Sequence, residues 1–230
     1  MFQPYRIALT MRTPIVPGKF PLHLDSLFYW FLSEFIDNDD EILDILDTVL
    51  EKQDDTYLCS AMYFQDKPKY IRCGVTSKSD TMIDNLVDMQ AWTNDKIMGE
   101  TKMASVHAIA AKTAFFNATC NKEKAEALLK KIHGVGRLTN TGFGEIASIS
   151  FVQLKRDQSV ISDGRLMRVV KDIGLTPEQI KQVDGYKDYG RYSPPYHTQS
   201  KSSVIIPKRL IYTLPFNNAK KKGNKKGFGK

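Results

Sequence analysis

A run of four glycines between residues 134 and 144 constrains the fold of this chain more than any other feature. The run reads GVGRLTNTGFG, so two Gly-apolar-Gly units flank five residues, one of which is Arg137. A helical pattern precedes it and a strand pattern follows it. This order is the reverse of that in triphosphate- and dinucleotide-binding loops, and no Gly-Lys-Ser/Thr is present, so both of those sites are excluded.

Glycine lets a backbone turn tightly and approach another backbone closely, because it has no Cβ atom. Amides exposed in such a loop bind phosphate oxygens, and an arginine adds a charged, bidentate contact. A helix cap followed by a glycine bulge is the alternative, but the regular spacing favours a phosphate-binding loop. The residues expected to contact the ligand are Gly134, Gly136, Arg137, Thr139, Asn140, Gly142, Phe143 and Gly144.

The apolar patterns around this loop predict an α+β fold. Short or alternating apolar runs indicate strands, and stripes with helical spacing indicate helices, two of them capped by Asp25 and Asn121. The order strand–helix–strand, then strand–helix–strand, is the βαββαβ order of a ferredoxin-like (RRM-like) domain. The predicted strands lie at residues 5–12, 56–64, 70–75, the end of 106–119, and 145–154, and the predicted helices at 25–35, 37–55 and 122–133.

Three segments are expected along the chain. Residues 1–154 form the ferredoxin-like domain, with a helical insertion at about 37–55 and a loop at about 76–101. Residues 155–216 form a basic C-terminal extension, with a short helix near 177–184 and an edge strand near 204–214. Residues 217–230 are rich in Lys and Gly and form a disordered basic tail.

The charge of the chain is divided unevenly. The net charge is +7, but residues 131–230 contain 19 Lys and Arg against 7 Asp and Glu, whereas residues 1–130 contain 14 against 19. A basic half of this kind is typical of proteins that bind a polyanion such as nucleic acid. A basic tail that only aids solubility is the alternative.

Composition excludes several classes of protein. No apolar run approaches the roughly 18 residues of a membrane span, and the N-terminus lacks the pattern of a secretory signal. The three cysteines are far apart, which favours neither a disulfide framework nor a zinc site. We therefore expect a cytoplasmic protein with a folded core, no membrane contact, no metal and no cofactor.

The glycine loop and two further stretches resemble the RAMP superfamily of CRISPR–Cas proteins. PLHLDSL at residues 21–27 is similar to the start of the first helix in the Cas-five family subunit of type IV effector complexes. AFFNA at residues 114–118, a helix carrying Leu128 and Leu129, and then the loop resemble the same proteins. The resemblance covers residues 5–152. The family's loop is commonly richer in Lys and Arg, whereas this one has Arg137 alone.

This resemblance implies a function. RAMP proteins use one or two ferredoxin-like domains to bind guide RNA, and the type IV member is a non-catalytic subunit of an antiviral ribonucleoprotein complex. It would cap the 5′ handle of the crRNA. Its partners would be the repeated backbone subunit, the large subunit and, in the assembled complex, target DNA.

Two other functions stay open at this point. Related RAMP nucleases cut repeat RNA without metal, using a base near the 2′-hydroxyl and a cation near the phosphate. His23 is the candidate base, with Tyr5 and Lys112 as conceivable partners, but a single histidine does not define a site, so we expect no catalysis. The other function is a scaffold whose basic half binds an acidic protein.

Further RNA contacts are expected outside the glycine loop. Aromatic rings interleaved with cations stack on single-stranded bases and pair with phosphates. The tyrosines at 186–196 have a second interpretation, in which their rings pack on the domain. The expected contacts are His23, Lys155, Arg156, Arg165, Arg168, Arg191, Tyr192, His197 and Lys201.

Overall fold

A computed structural model of the chain describes residues 1–18, 20–65, 68–78 and 101–208. Residues 76–78 and 101 of the loop predicted at 76–101 are found in strands instead, and the rest of that loop and all of the tail predicted at 217–230 lie outside these ranges. The strands are β1 (Gln3–Met11), β2 (Lys52–Gln53), β3 (Thr56–Tyr57), β4 (Lys69–Lys78), β5 (Thr101–Ala110), β6 (Thr113–Cys120), β7 (Ile146–Gln153), β8 (Ile161–Ser162), β9 (Arg165–Leu166), β10 (Val170–Lys171), β11 (Gly185–Gly190) and β12 (Ser202–Pro207). The helices are α1 (Leu24–Leu32), α2 (Asp39–Val49), α3 (Lys122–Leu129) and α4 (Pro177–Gln182), with a short 3-10 helix at Thr139–Thr141.

A three-stranded antiparallel sheet carries the main hydrophobic core. β1 lies in the middle, with β6 on one side and β7 on the other. Ile7 is opposite Phe116 of β6 and opposite Phe151 of β7. Because side chains alternate along a strand, Ile7 and Leu9 are fully buried on one side of the sheet and their neighbours lie on the other.

The segment at residues 58–63 lies alongside β6. Tyr63 and Phe115 exchange two backbone hydrogen bonds of 2.8 Å, and the Ser60 amide donates to the Asn117 carbonyl at 2.7 Å. Most of the strand predicted at 56–64 is therefore found beside β6. The fold is α+β, with antiparallel sheets and few helices.

Helices α1, α2 and α3 pack on one side of the sheet. Leu24, Ile42 and Leu129, one from each helix, are fully buried in the same core as Ile7. The acidic residues in the first turn of α2 lie at its N-terminus, and its apolar stripe faces inward, as the sequence predicts for this insertion.

One predicted helix cap is confirmed and the other is wrong. The Asn121 side chain accepts a hydrogen bond from the Lys124 amide at 3.2 Å, at the start of α3. Helix α1 begins at Leu24, directly after His23, so Asp25 lies within the first turn instead of capping it. This shift places the Asp25 side chain in the protein interior, with no exposed surface.

The C-terminal extension folds around a small core of its own. β10, β12 and β11 form a three-stranded antiparallel sheet, and α4 lies against β11. Leu166, Ile180 and Ile205 form this core. The helix predicted near 177–184 is confirmed as α4, which begins with a capping box between Thr176 and Gln179.

Candidate functional site

The glycine loop, residues 134–144, is closed at its base by backbone hydrogen bonds. The Val135 amide donates to the Gly144 carbonyl, and the Ile146 amide to the His133 carbonyl, both at 2.9 Å. Gly144 has a φ of +66°, and a Cβ atom there would lie 1.9 Å from the Val135 carbonyl oxygen. The position requires glycine, because two backbone segments approach too closely for a side chain.

The loop is also fixed to the segment that follows β1. The Arg137 amide donates to the Val16 carbonyl, and the Gly144 amide to the Pro14 carbonyl, both at 2.8 Å. A Cβ atom at Gly136, where φ is +95°, would lie 2.6 Å from the Val16 carbonyl oxygen. Of the loop glycines, Gly134 and Gly144 are buried, and Gly136 and Gly142 are exposed.

These hydrogen bonds change the mode of ligand contact expected from the sequence. The amides of Arg137 and Gly144 already donate within the chain, so they cannot bind phosphate while the loop keeps this form. The tip presents side chains instead: Arg137 and Asn140 are exposed, and Thr139 and Phe143 are half-buried. The Arg137 guanidinium is therefore the group of this loop best suited to a phosphate.

A second group of predicted contact residues lies in the protein interior. Arg168 of the C-terminal extension has no exposed surface and forms an ion pair of 3.0 Å with Asp25. Its guanidinium also donates to the carbonyls of Tyr57, Cys59 (3.0 Å) and Tyr192 (2.7 Å). These additional hydrogen bonds matter because a buried ion pair is stable only when its remaining donors and acceptors are satisfied.

His23 extends this ion pair into a chain of hydrogen bonds. Its Nε2 accepts from the Val169 amide at 3.2 Å, so Nδ1 carries the proton and donates to the Tyr196 hydroxyl at 3.2 Å. That hydroxyl donates to Asp25 at 3.0 Å. Burial, and next the Arg168 charge, lower the pKa of His23 to about 3 against the raising effect of Asp25, so the ring is neutral.

We call His23, Asp25, Arg168 and Tyr196 the buried network. It fastens the C-terminal extension to the start of α1, since two of its members come from each. His23, Arg168 and Tyr192 are at most 6% exposed. Their contacts stabilise the fold and leave them little surface for a ligand.

The pKa of His23 leads to a prediction about stability. The unfolded chain binds more protons than the folded one between pH 6.5 and about 3, so stability rises with pH in this window. The contribution of His23 to the free energy of unfolding is fully present above its pKa in the unfolded chain, 6.5. It is lost as the pH falls, by about 1 kcal/mol per pH unit. Urea denaturation near pH 7 and near pH 5.5 measures this slope. We expect a flatter slope in His23→Gln but not in the exposed control His133→Gln; equal slopes would contradict the assignment.

The other predicted contacts lie on the surface. Arg156 is 3.9 Å from Asp163, and His197 is 3.5 Å from Asp39 of α2. Such surface pairs contribute little to stability, so the side chains of both Arg156 and His197 remain available to a polyanion. The exposed members of this set are Lys155, Arg156, Arg165, Arg191, His197 and Lys201.

The described ranges contain neither a cluster of His, Cys, Asp or Glu placed to hold a metal ion nor a helix long and apolar enough to cross a bilayer. A cavity of about 630 Å³ lies between residues 53–58 and the sheet of the C-terminal extension. Its lining is mainly apolar and includes Leu58, Leu166 and Ile205. The cavity touches the predicted contact residue Tyr192 and lies away from the glycine loop.

Comparison with known proteins gives a distant structural match. No family model matches the chain, and no curated protein sequence does. The matching structures include a chain of the cryo-EM structure of the Type III-B Cmr-beta bound to cognate target RNA, with 11% sequence identity and a TM-score of 0.41. The match covers 66% of this chain and 61% of that chain. A likeness at this level carries no conclusion about fold or function.

Proposed function

We propose that this protein is a non-catalytic RNA-binding subunit of a type IV CRISPR ribonucleoprotein complex and that it caps the 5′ handle of the guide RNA. The observation that carries the proposal is the glycine loop. Its glycines allow close backbone contacts that fix the loop, and its tip exposes Arg137. The sequence resemblance of residues 5–152 to the Cas-five family supports the same function.

The order of the strands supports a ferredoxin-like RAMP domain. From one edge to the other the order is β7, β1, β6 and the segment at 58–63. Helix α1 follows β1 in sequence, α3 follows β6, and both lie on the same side of the sheet. Counting the segment at 58–63 as a strand, we infer a βαββαβ arrangement.

In this function, Arg137 binds a phosphate of the handle. A guanidinium gives phosphate two parallel hydrogen bonds, and Thr139 and Asn140 offer further polar groups beside it. Exposed cations of the C-terminal extension, such as Lys155 and Arg165, extend the contact along the RNA backbone. The acidic helix α2 faces solvent or another subunit. The backbone subunit, the large subunit and target DNA are the proposed partners.

The state of His23 supports a non-catalytic role. This candidate base is buried and neutral, and both of its ring nitrogens are engaged within the chain. A base for RNA cleavage has to come within hydrogen-bond distance of the 2′-hydroxyl. Labelled repeat RNA incubated with the protein in chelator should therefore stay intact on a denaturing gel, and a single defined cut would overturn this part of the proposal.

Arg137→Ala is expected to weaken binding of the repeat RNA about ten- to hundredfold, because a hydrogen bond to a charged group contributes about 1.5–3 kcal/mol. The dependence of affinity on salt should also fall, by about one phosphate contact. Fluorescence anisotropy titrations at several salt concentrations measure both quantities.

The matched control is Arg72→Ala, which removes an exposed arginine from β4. It should leave the affinity within about twofold, as expected for a cation that makes no direct contact. If the two variants lose affinity equally, RNA binding depends on net charge alone, and the glycine loop is not the RNA-binding site.

A further inference from the structure

The side of the central sheet away from the helices forms a second surface, which we call the outer face. Helices α1, α2 and α3 pack on the side of Ile7 and Phe116, so the alternate residues of the strands point the other way. The residues of the outer face are Pro4, Arg6, Ala8, Thr10, Thr113, Phe115, Asn117, Thr119, Ser148, Ser150 and Val152.

Two aromatic rings form a fixed pair on the outer face. Phe115 and Tyr63 are stacked, with ring centroids 5.7 Å apart and an angle of 28° between their planes. The Tyr63 hydroxyl donates to Asn117 Oδ1 at 2.8 Å, which holds its ring in place. Across the sheet, Ala8 is opposite Phe115, and Ser150 is opposite Ala8. These small side chains leave space beside the rings, which are both half-exposed.

Arg6 places a positive charge next to this pair. It is the one charged residue of β1, β6 and β7, which contain no Asp or Glu. Burial raises the pKa of the Tyr63 hydroxyl. The Arg6 charge and hydrogen bonds with Arg6 and Asn117 oppose that shift, whereas the Asp163 carboxylate adds to it. The Nε atom of Arg6 is buried and has no hydrogen-bond partner within the described residues. A buried donor without an acceptor costs free energy, so the groups of the chain itself do not fully satisfy Arg6.

Within the part of the chain that the structure describes, the C-terminal extension covers one end of the outer face and leaves the other end open. The Asn117 side chain donates to the Gln158 carbonyl at 3.1 Å, and the Thr119 hydroxyl donates to Asp157 at 3.0 Å. At the opposite end Ser148 is exposed, in the part of β7 that comes directly after the glycine loop. The open part of the outer face therefore borders that loop.

We propose that the open part of the outer face binds single-stranded RNA, with a base stacked on the Tyr63–Phe115 pair and an acceptor of the nucleotide bound by Arg6. Every base has a flat π surface, so the stacking contact tolerates different sequences. Charge favours RNA as the ligand, since the strands of this face carry one positive and no negative group. The inference rests on the proposed RNA-binding function. It adds a stacking contact with a base to the charged contact that Arg137 makes with a phosphate.

Anisotropy titrations with the full chain separate the two contacts. We expect Phe115→Leu to weaken binding of a labelled oligouridine of about 15 nucleotides roughly tenfold, with the salt dependence unchanged, because stacking releases no counterions. Arg6→Gln should also weaken binding and should lower the salt dependence. Trp30→Leu is the control, since it removes an exposed ring from α1, on the other side of the sheet, and it should bind like the wild type.

Ultraviolet cross-linking of the wild-type protein to the same oligouridine gives a second measurement, which does not depend on the folding of a variant. Cross-links at Tyr63 or Phe115 are expected. Cross-links confined to residues 134–144, together with unchanged affinity in Phe115→Leu, would overturn the inference and leave the proposed function intact. A wild-type protein that binds neither oligouridine nor repeat RNA would overturn both, and would point to a protein partner for the outer face.

Discussion

Arg168→Ala is expected to lower the free energy of unfolding by about 3–5 kcal/mol, because it leaves the Asp25 carboxylate buried without its counter-charge. Four carbonyl groups also lose a donor in this variant. The control is Arg165→Ala, an exposed neighbour in the same extension, which should change the stability by less than about 0.5 kcal/mol. Equal effects of the two substitutions in urea denaturation would contradict the burial of the ion pair.

A double variant separates the charge from the packing. Arg168→Met keeps much of the side-chain volume but still leaves Asp25 unpaired, whereas adding Asp25→Asn removes the remaining buried charge. The double variant should therefore be more stable than Arg168→Met alone, although it carries one more substitution. A loss of stability equal to the sum of the two single losses would show that the two side chains do not interact.

Gly144→Ala is the second change with a large expected effect. Both Gly144 and Gly142 have a positive φ, so alanine costs about 1–2 kcal/mol of backbone strain at either position. A Cβ atom at Gly142 meets nothing within 4 Å, whereas one at Gly144 would lie 1.9 Å from the Val135 carbonyl oxygen. We expect Gly142→Ala to cost only the strain and Gly144→Ala to cost more than about 3 kcal/mol.

Thermal denaturation of the two glycine variants measures this difference directly, because backbone strain is common to both. Gly144→Ala should also lose affinity for RNA, since the loop that holds Arg137 has to move. If the two variants unfold at the same temperature, the close approach of the two backbone segments does not contribute to the stability of the loop.

The glycine loop shows how much of this molecule local sequence can predict. Glycine lets two backbone segments approach closely because it has no Cβ atom. This property depends on the residue alone and can therefore be read from the sequence. The cap at Asn121 and the buried stripe of α2 follow for the same reason, since both depend on neighbours within one helical turn.

The buried network shows what local sequence cannot predict. Asp25 and Arg168 are 143 residues apart, so their pairing depends on how the C-terminal extension packs against α1. A count of basic residues treats Arg165 and Arg168 alike, although the first is exposed and the second is fully buried. Tyr189 and Tyr192 differ in the same way, with exposures of 75% and 6%.

Local sequence does not predict the outer face either, for a related reason. Its signal in the sequence is Arg6, a charge at the polar position of an alternating strand. Tyr63 and Phe115 meet only through the pairing of two segments far apart in the chain, and spacing along the sequence contains no information about that pairing.

The buried network also affects the order in which parts of the chain can fold during synthesis. During synthesis, His23 and Asp25 emerge long before Val169 and Arg168, so the interior around α1 lacks its polar partners until the C-terminal extension has been made. We therefore expect that the domain boundary predicted at residue 154 does not divide the protein into two independently cooperative parts. We expect the extension to complete the folding of the first 154 residues, so that both unfold in one transition.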